Sequence, residues 1–375
     1  MAVLKDPELR TWWDGITSRL IKTTKTNIYE PFRNATTFNL MSWYYQNKGA
    51  LTLSTIDQEA GWINGLVMLR LPAKCPSHKS PESEAQTITI GGIYYRKLTD
   101  IICTAFIDSP AHKFHYTPFH LFRKLSPNSE PKRVYMELYN SDAFLKEHEK
   151  LQKQTHEPSC KLNWSVAAMM LWSNSTHLAS FGNTSLWPIY CYFGNQLKYS
   201  HTKLSNYAAH HIVLILDNEF LHSYKHGIVV NCADGNEQHL HPCILTYLAD
   251  YPEKVLLSTI QYLGQCPCPH CFILKWEIDG ISTESDVKQQ TNTQTDTPSR
   301  QKLIERACRE VYNQGQQINS TYVENLLKPT SMVPTHNAFS EHLLDLGFEF
   351  HEVFVPNLLH EFKLGVWKAV FMHLL

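Results

Sequence analysis

The chain has 375 residues, 43% of them hydrophobic and 12% aromatic, enough for one large core or two medium ones and too much for global disorder. A formal net charge of −1 excludes the basic excess of a self-sufficient nucleic-acid-binding domain, so any DNA contact must come from local patches or another part of the protein. No apolar run reaches the roughly 18 residues of a membrane span. Lys5, Asp6, Glu8 and Arg10 break up the N-terminus, so no signal peptide is visible and the chain reads as soluble and intracellular. Of the ten cysteines only those in 266–271 cluster, which favours reduced thiols with a metal site over a disulfide framework.

In chain order, residues 1–70 predict helices, from Trp12, Trp13, Ile16, Leu20 and Ile21, then Phe38, Leu40, Met41, Trp43 and Tyr44. Three prolines make 72–86 a loop. Thr87–Tyr95 and Lys113–Phe122 read as β-like, and 136–153 as a charged helix. From 164 onward compact apolar runs suggest strands: Val166–Trp172, Trp187–Phe193, His211–Leu216, Ile228–Cys232 and Pro242–Leu248. Asp234-Gly235-Asn236 predicts a hairpin turn. A helix is expected after Tyr251-Pro252-Glu253, with Val255, Leu256, Ile260 and Leu263 on one face. Residues 276–301 are polar and read as an exposed insertion. Helices resume at 302–312 and 321–328. The terminal segment, with Phe362, Val366, Trp367, Val370, Phe371 and Leu374, predicts an apolar helix that should pack into a core, and its lack of a stop signal reads as a truncation.

Several ordered blocks carry a resemblance. They include Tyr29-Glu30-Pro31-Phe32-Arg33-Asn34-Ala35-Thr36, His115-Tyr116-Thr117-Pro118-Phe119 and Glu137-Leu138-Tyr139-Asn140-Ser141-Asp142. Leu171-Trp172-Ser173-Asn174-Ser175-Thr176-His177-Leu178-Ala179 is followed by Trp187-Pro188-Ile189-Tyr190 and Phe193-Gly194-Asn195. Then come Tyr247-Leu248-Ala249-Asp250-Tyr251-Pro252-Glu253-Lys254, Cys266-Pro267-Cys268-Pro269-His270-Cys271 and Pro356-Asn357-Leu358-Leu359-His360-Glu361-Phe362-Lys363-Leu364-Gly365-Val366-Trp367-Lys368. This set resembles the fungal Plavaka-type DNA transposases, relatives of the CACTA and Kyakuja–Dileera–Zisupton groups, and the last block is similar to D-L-L-H-E-F-E-L-G-V-W-K. The resemblance implies an α/β fold with a ribonuclease H-like core, in which acids at strand ends hold two Mg²⁺ or Mn²⁺ ions for DNA strand cleavage and transfer. It implies DNA at transposon ends as partner and a nuclear location, allows a homo-oligomer, and involves no membrane. The expected division is a helical or mixed N-terminal region over 1–160 and an interrupted core over 161–375.

The departures from the family pattern matter most for chemistry. Asn174 stands where the resemblance places the first catalytic acid, and a neutral amide cannot bridge two cations as a carboxylate does. Asp250 matches the second acid, although its place at a strand-to-helix junction equally suits a helix N-cap. Asn357 replaces the Asp of the last block, and Lys363 replaces its second Glu. The third acid of such transposases lies further downstream, so Glu361 is the only nearby stand-in and reads better as a helix-surface carboxylate. Together these substitutions imply a catalytically dead transposase, with a non-catalytic DNA- or protein-binding module, or a remnant without selected function, as alternatives. Cys266, Cys268 and Cys271, with His270 or His360 as fourth ligand and the resemblance favouring His360, form a candidate structural Zn²⁺ site, or else are buried thiols beside a Pro-rich turn. His210, His211, His239 and His241 read as ordinary polar histidines, and the paired aromatics near the N-terminus as core. Lys198, His201 and Lys203 form either a small phosphate-contacting patch or a solvated turn.

Overall fold

The computed structural model describes residues 63–72, 79, 81–154, 161–173, 176–177, 185–186, 189–201, 210–212, 216–280 and 282–374. Of the two units into which the chain divides, Ile63–Leu375 holds all of these. The helices expected from Trp12 to Tyr44, Asn174, and Lys203 lie outside the described residues.

The first elements are a hairpin of β1 (Ile63–Arg70) and β2 (Thr87–Tyr95), antiparallel from Ile63↔Tyr95 to Arg70↔Thr87. Its second strand falls where the sequence places it. The first corrects the helical reading of 63–70: only an extended pairing lets Val67 and Leu69 sit opposite Ile90 and Ile88. Helix α1 (Leu98–Ile107) has no counterpart in the sequence reading, yet Leu98, Ile101, Ile102, Ala105 and Phe106 form an unbroken buried stripe at helical spacing. The β-like reading of 113–122 holds only at its end, in Leu121–Arg123; Lys113 closes a short 3₁₀ turn and Pro118 withholds a ladder donor. Helix α2 (Asp142–Gln152) starts on Ser141, whose Oγ accepts from Phe144 N at 3.2 Å.

The central sheet combines β3 (Asn163–Ser173), β4 (Ile189–Phe193), β5 (His210–Ile212), β6 (Ile228–Asn231) and β7 (Glu237–Leu248), with β8 (Phe354–Val355) added late. Its order is β6–β7–β3–β4–β5. β3, β4 and β5 pair antiparallel, while β3 and β7 run parallel over ten matched residues. β6 forms an antiparallel hairpin with the first part of β7 through the Asp234 turn, where Asn236 N donates to Asp234 Oδ1 at 3.0 Å and Gly235 adopts φ 82°. Beyond β6, on the same edge, β8 pairs parallel with the end of β7 through Tyr247↔Phe354 and Leu248↔Val355.

β3 is buried on both faces, as a central strand between helical layers must be. Ala167, Met169 and Leu171 face the main core, which α1 fills together with Phe220 of α3 (Asn218–His226) and, further along the chain, Phe339, Leu343, Phe348 and Phe350. Trp164, Val166 and Ala168 face a smaller cluster closed by Phe144 and Leu151 of α2. A bulge between Ile244 and Thr246 returns Tyr247 to the main core, on the face that Ile244 lines.

After β7, helix α4 (Tyr251–Leu257) is shorter than its apolar pattern predicts. Ser258 Oγ turns back to Lys254 O at 2.6 Å, Thr259 takes φ 51°, and Ile260 leaves to bridge Met332. The polar segment 276–301 is not merely exposed. It carries α5 (Glu284–Gln290) and the first turn of α6 (Pro298–Tyr312), and it buries Asp286, Gln294, Asp296 and Arg300. Arg300 donates to Gln294 Oε1 at 2.9 Å and to Ser258 O at 3.2 Å, which offsets its burial. α6 and α7 (Thr321–Leu327) form a separate small core around Ile304, Cys308 and Val323. α8 (Ala338–Leu343) leads back to β8. The terminal helix, Leu358–Trp367 with π-type bonding and then Lys368–Leu374, does not enter a core: Phe362, Trp367 and Phe371 are all about half exposed. No helix of the described residues is long and apolar enough to cross a membrane.

Candidate functional site

Three strand ends meet at one level of the sheet. Register pairs Trp172 of β3 with Leu248 of β7, and Leu248 with Val355 of β8. Two residues beyond Leu248 and Val355 come Asp250 and Asn357, just past the carboxyl ends of parallel strands, where ligands gather in α/β sheets.

Asp250 and Asn357 do the same local work. Asp250 caps α4, its Oδ1 accepting from Glu253 N at 3.0 Å. Asn357 is 5% exposed and caps the terminal helix, its Oδ1 accepting from Leu359 N and His360 N, each at 3.1 Å. The Asn357 amide also lies 3.4 Å from His360 Nδ1.

Behind these caps is a buried charge cluster that the sequence reading did not assign, although Glu253 and Lys254 stand in the quoted Tyr251-Pro252-Glu253-Lys254 run. Glu253 is 7% exposed; Ser173 Oγ donates to its Oε1, and Tyr247 Oη reaches the same oxygen at 3.4 Å. Lys254, 2% exposed, forms an ion pair with Glu361, so the carboxylate expected on the helix surface is engaged with a buried ammonium. Burial, then the Lys254 charge, pushes the His270 pKa down. His351, 3% exposed and neutral, is pushed down to about 3, first by burial and then by Arg300. Its Nδ1 pairs with Pro269 O at 2.9 Å.

Among the described residues, this set is poor in the free carboxylates that a two-ion Mg²⁺ or Mn²⁺ centre takes. Asn357 contributes a neutral amide, one oxygen of Asp250 is committed to a cap, and Glu361 is neutralised by Lys254. Among the described residues, no three carboxylates here bring ligand atoms within 4.8 Å of one another.

The four expected zinc ligands also do not converge. Cys268 and Cys271 share a hydrogen bond between their side chains. Cys266 instead directs Sγ to Pro329 O at 3.4 Å, and its N–H donates to Ser331 Oγ at 2.7 Å. His360 is held at Asn357. Within the pair, the Cys271 S–H, the backbone N–H of His270 and Lys254 together lower the Cys268 thiol to about 6, and Cys271, the donor, is pushed up.

Other sequence candidates have ordinary partners. Lys198 Nζ donates to Met136 O at 3.0 Å and lies 3.7 Å from Glu137 Oε1, so its charge is partly engaged, and His201 reaches Phe193 O at 3.2 Å. His239 meets His226 O at 2.8 Å and His241 packs on Trp164. Asp217 caps α3, its Oδ1 accepting from Phe220 N at 2.7 Å. The Phe193-Gly194-Asn195 block is architectural. Fully buried Asn195 accepts from Ala168 N at 2.9 Å and donates to Val166 O at 2.8 Å and His115 O at 2.9 Å.

In comparison with known proteins, the chain matches the family described as Plavaka transposase over residues 68–216 and 206–374. No curated protein and no solved structure matches it. Those two stretches cover well over half of the sequence and take in both strand-end caps, Asp250 and Asn357. The chain belongs to the Plavaka transposase family.

Proposed function

We propose that this chain is a transposase-derived protein with a ribonuclease H-like core that engages DNA but does not cut it. The observation that carries the reading is the common level of Asp250 and Asn357 beyond adjacent parallel strands, with Asn174 standing in the sequence where the family resemblance sets the first acid. Acids at three such positions would hold two divalent ions, which would stabilise the attacking and leaving oxygens of a phosphoryl displacement. Here two of the three are amides and the neighbouring Glu361 is bound to Lys254, so the carboxylate charge that ion pair needs is absent. A mixed sheet with helices on both faces supports the core assignment, and DNA as partner rests on the family. Nuclear location and self-association belong to the same proposal.

The test is nicking of supercoiled plasmid by the purified chain in Mn²⁺, with Asp250→Asn as background and a salt series of mobility shifts on the same DNA. The expected result is binding that weakens steeply with salt and no nicking above background. Nicking by the parent chain that Asp250→Asn abolishes would refute the loss of catalysis. Absence of binding at low salt would refute the DNA-engaging role.

A further inference from the structure

We propose that Glu82, Cys308 and His336 form a binding site for a borderline-soft divalent cation, best fitted by Zn²⁺, outside the strand-end cluster. The three side chains come from distant parts of the sequence: the short turn Glu82–Glu84 between β1 and β2, the middle of α6, and the residue preceding the Asn337 cap of α8. Their ligand atoms all lie within 4.8 Å of one another, and among the described residues no other such group of three His, Cys, Asp or Glu side chains occurs.

The donor set decides the ligand class. One thiolate, one imidazole and one carboxylate match the sulfur, nitrogen and oxygen ligands of tetrahedral Zn²⁺, whereas Mg²⁺ and Ca²⁺ prefer oxygen alone. Cys308 is 4% exposed within the α6–α7 core, Glu82 is half-buried, and His336 is exposed, which leaves an entry path from solvent. Burial, then the charge of Glu82, keeps the Cys308 thiol protonated. On binding, Sγ forms the metal bond and its proton goes to solvent, with no change of oxidation state. A dication between two anionic ligands leaves the site neutral, removing the repulsion that thiolate and carboxylate would otherwise feel. Glu341 Oε1 lies 4.0 Å from His336 Nδ1 and adds a further negative charge beside the site. Three protein ligands would leave a fourth position of a tetrahedral ion to water. Occupancy would fasten the β1–β2 connection to α6, where Tyr312 Oη already reaches Arg70 O at 3.4 Å.

The experiment titrates the full chain, stripped with chelator, with Co²⁺ as spectroscopic probe and then with Zn²⁺ against a chromophoric chelator. Parent, His336→Gln, Glu82→Gln, Cys308→Ser and Cys268→Ser/Cys271→Ser chains are compared. The proposal expects a sulfur-to-Co²⁺ charge-transfer band that survives Cys268→Ser/Cys271→Ser and disappears in Cys308→Ser. Removing an outer partner of a metal ligand typically weakens binding 10–100-fold, so His336→Gln, which removes a ligand, should weaken it by at least about 100-fold. Because His336 is exposed, His336→Gln should fold normally, and unchanged Zn²⁺ affinity in that variant would overturn the proposal. A band lost in Cys268→Ser/Cys271→Ser and kept in Cys308→Ser would place the metal at the other cysteines and overturn it equally.

Discussion

Removing the carboxylate of Glu361 should destabilise the fold more than removing the ammonium it faces. Lys254 is 2% exposed, whereas the Glu361 side chain is 34% exposed. Glu361→Ala therefore strands a charge away from water, while Lys254→Met leaves a carboxylate that can rehydrate. Breaking a fully buried pair from one side costs about 3–5 kcal/mol. The partial exposure of Glu361, and the nearby Cys268 thiolate as a second counter-charge, reduce this to about 2–3 kcal/mol for Glu361→Ala. Lys254→Met should cost less than about 1 kcal/mol, since its methylenes are replaced by packed apolar atoms. At roughly 2 °C per kcal/mol for a unit of this size, Glu361→Ala should melt about 4–6 °C lower and Lys254→Met about 2 °C lower at most. Thermal unfolding followed by circular dichroism at neutral pH measures both. Equal shifts, or a larger one for Lys254→Met, would refute the view that the ammonium is the uncompensated charge.

Alkylation of Cys268 should titrate near pH 6, about two and a half units below an ordinary thiol. At pH 7 about 90% of it is thiolate against about 3% for an unperturbed cysteine, so peptide mapping should find it labelled first. Cys271→Ala should move that midpoint upward, because the Cys271 S–H is the largest cause of the shift. His351 predicts acid sensitivity. Folded it protonates only near pH 3, unfolded near 6.5, so its contribution is complete above about pH 6.5 and fades as pH falls toward 3, by at most about 1.4 kcal/mol per unit. His351→Leu should be less stable at neutral pH yet lose less stability on acidification, as read by urea unfolding at pH 7, 5.5 and 4.5. Finally, a Cβ at Gly194 would collide with the Leu138 side chain at Cδ2, so Gly194→Ala should cost about 1–3 kcal/mol, and Leu138→Ala in the same chain should recover part of it. Strict additivity of the two denaturation costs would contradict the contact.

The sheet was readable because its strands are apolar runs punctuated by turn residues: β2, β3, β7 and the Asp234 turn fall where these signals put them. α1 was missed although its stripe of Leu98, Ile101, Ile102, Ala105 and Phe106 is plain once aligned to 3.6 residues per turn. Segment 276–301 misled because composition counts polar residues without counting partners, and Arg300 with Gln294 satisfies enough of them to be buried. α4 misled in the opposite sense, since Ile260 and Leu263 continue a helical period that Thr259 breaks by turning left-handed. Of the strand-end site, the caps were legible as junction residues. The Lys254–Glu361 pair was not, because 107 residues separate its members and only the β7–β8 pairing brings them together.

The double employment of position 357 bears on how such a protein could age. On the proposed reading an acid there would have both gripped a cation and closed the first turn of a helix. Asparagine serves about as well as aspartate in the second task, and Asn357 performs it here through two backbone N–H groups. An exchange of carboxylate for amide at such a site can silence chemistry while leaving folding nearly untouched. Mutations of this kind would escape the quality control that clears misfolded chains, so a transposase can drift into a well-folded, non-cutting descendant without passing through an unstable ancestor.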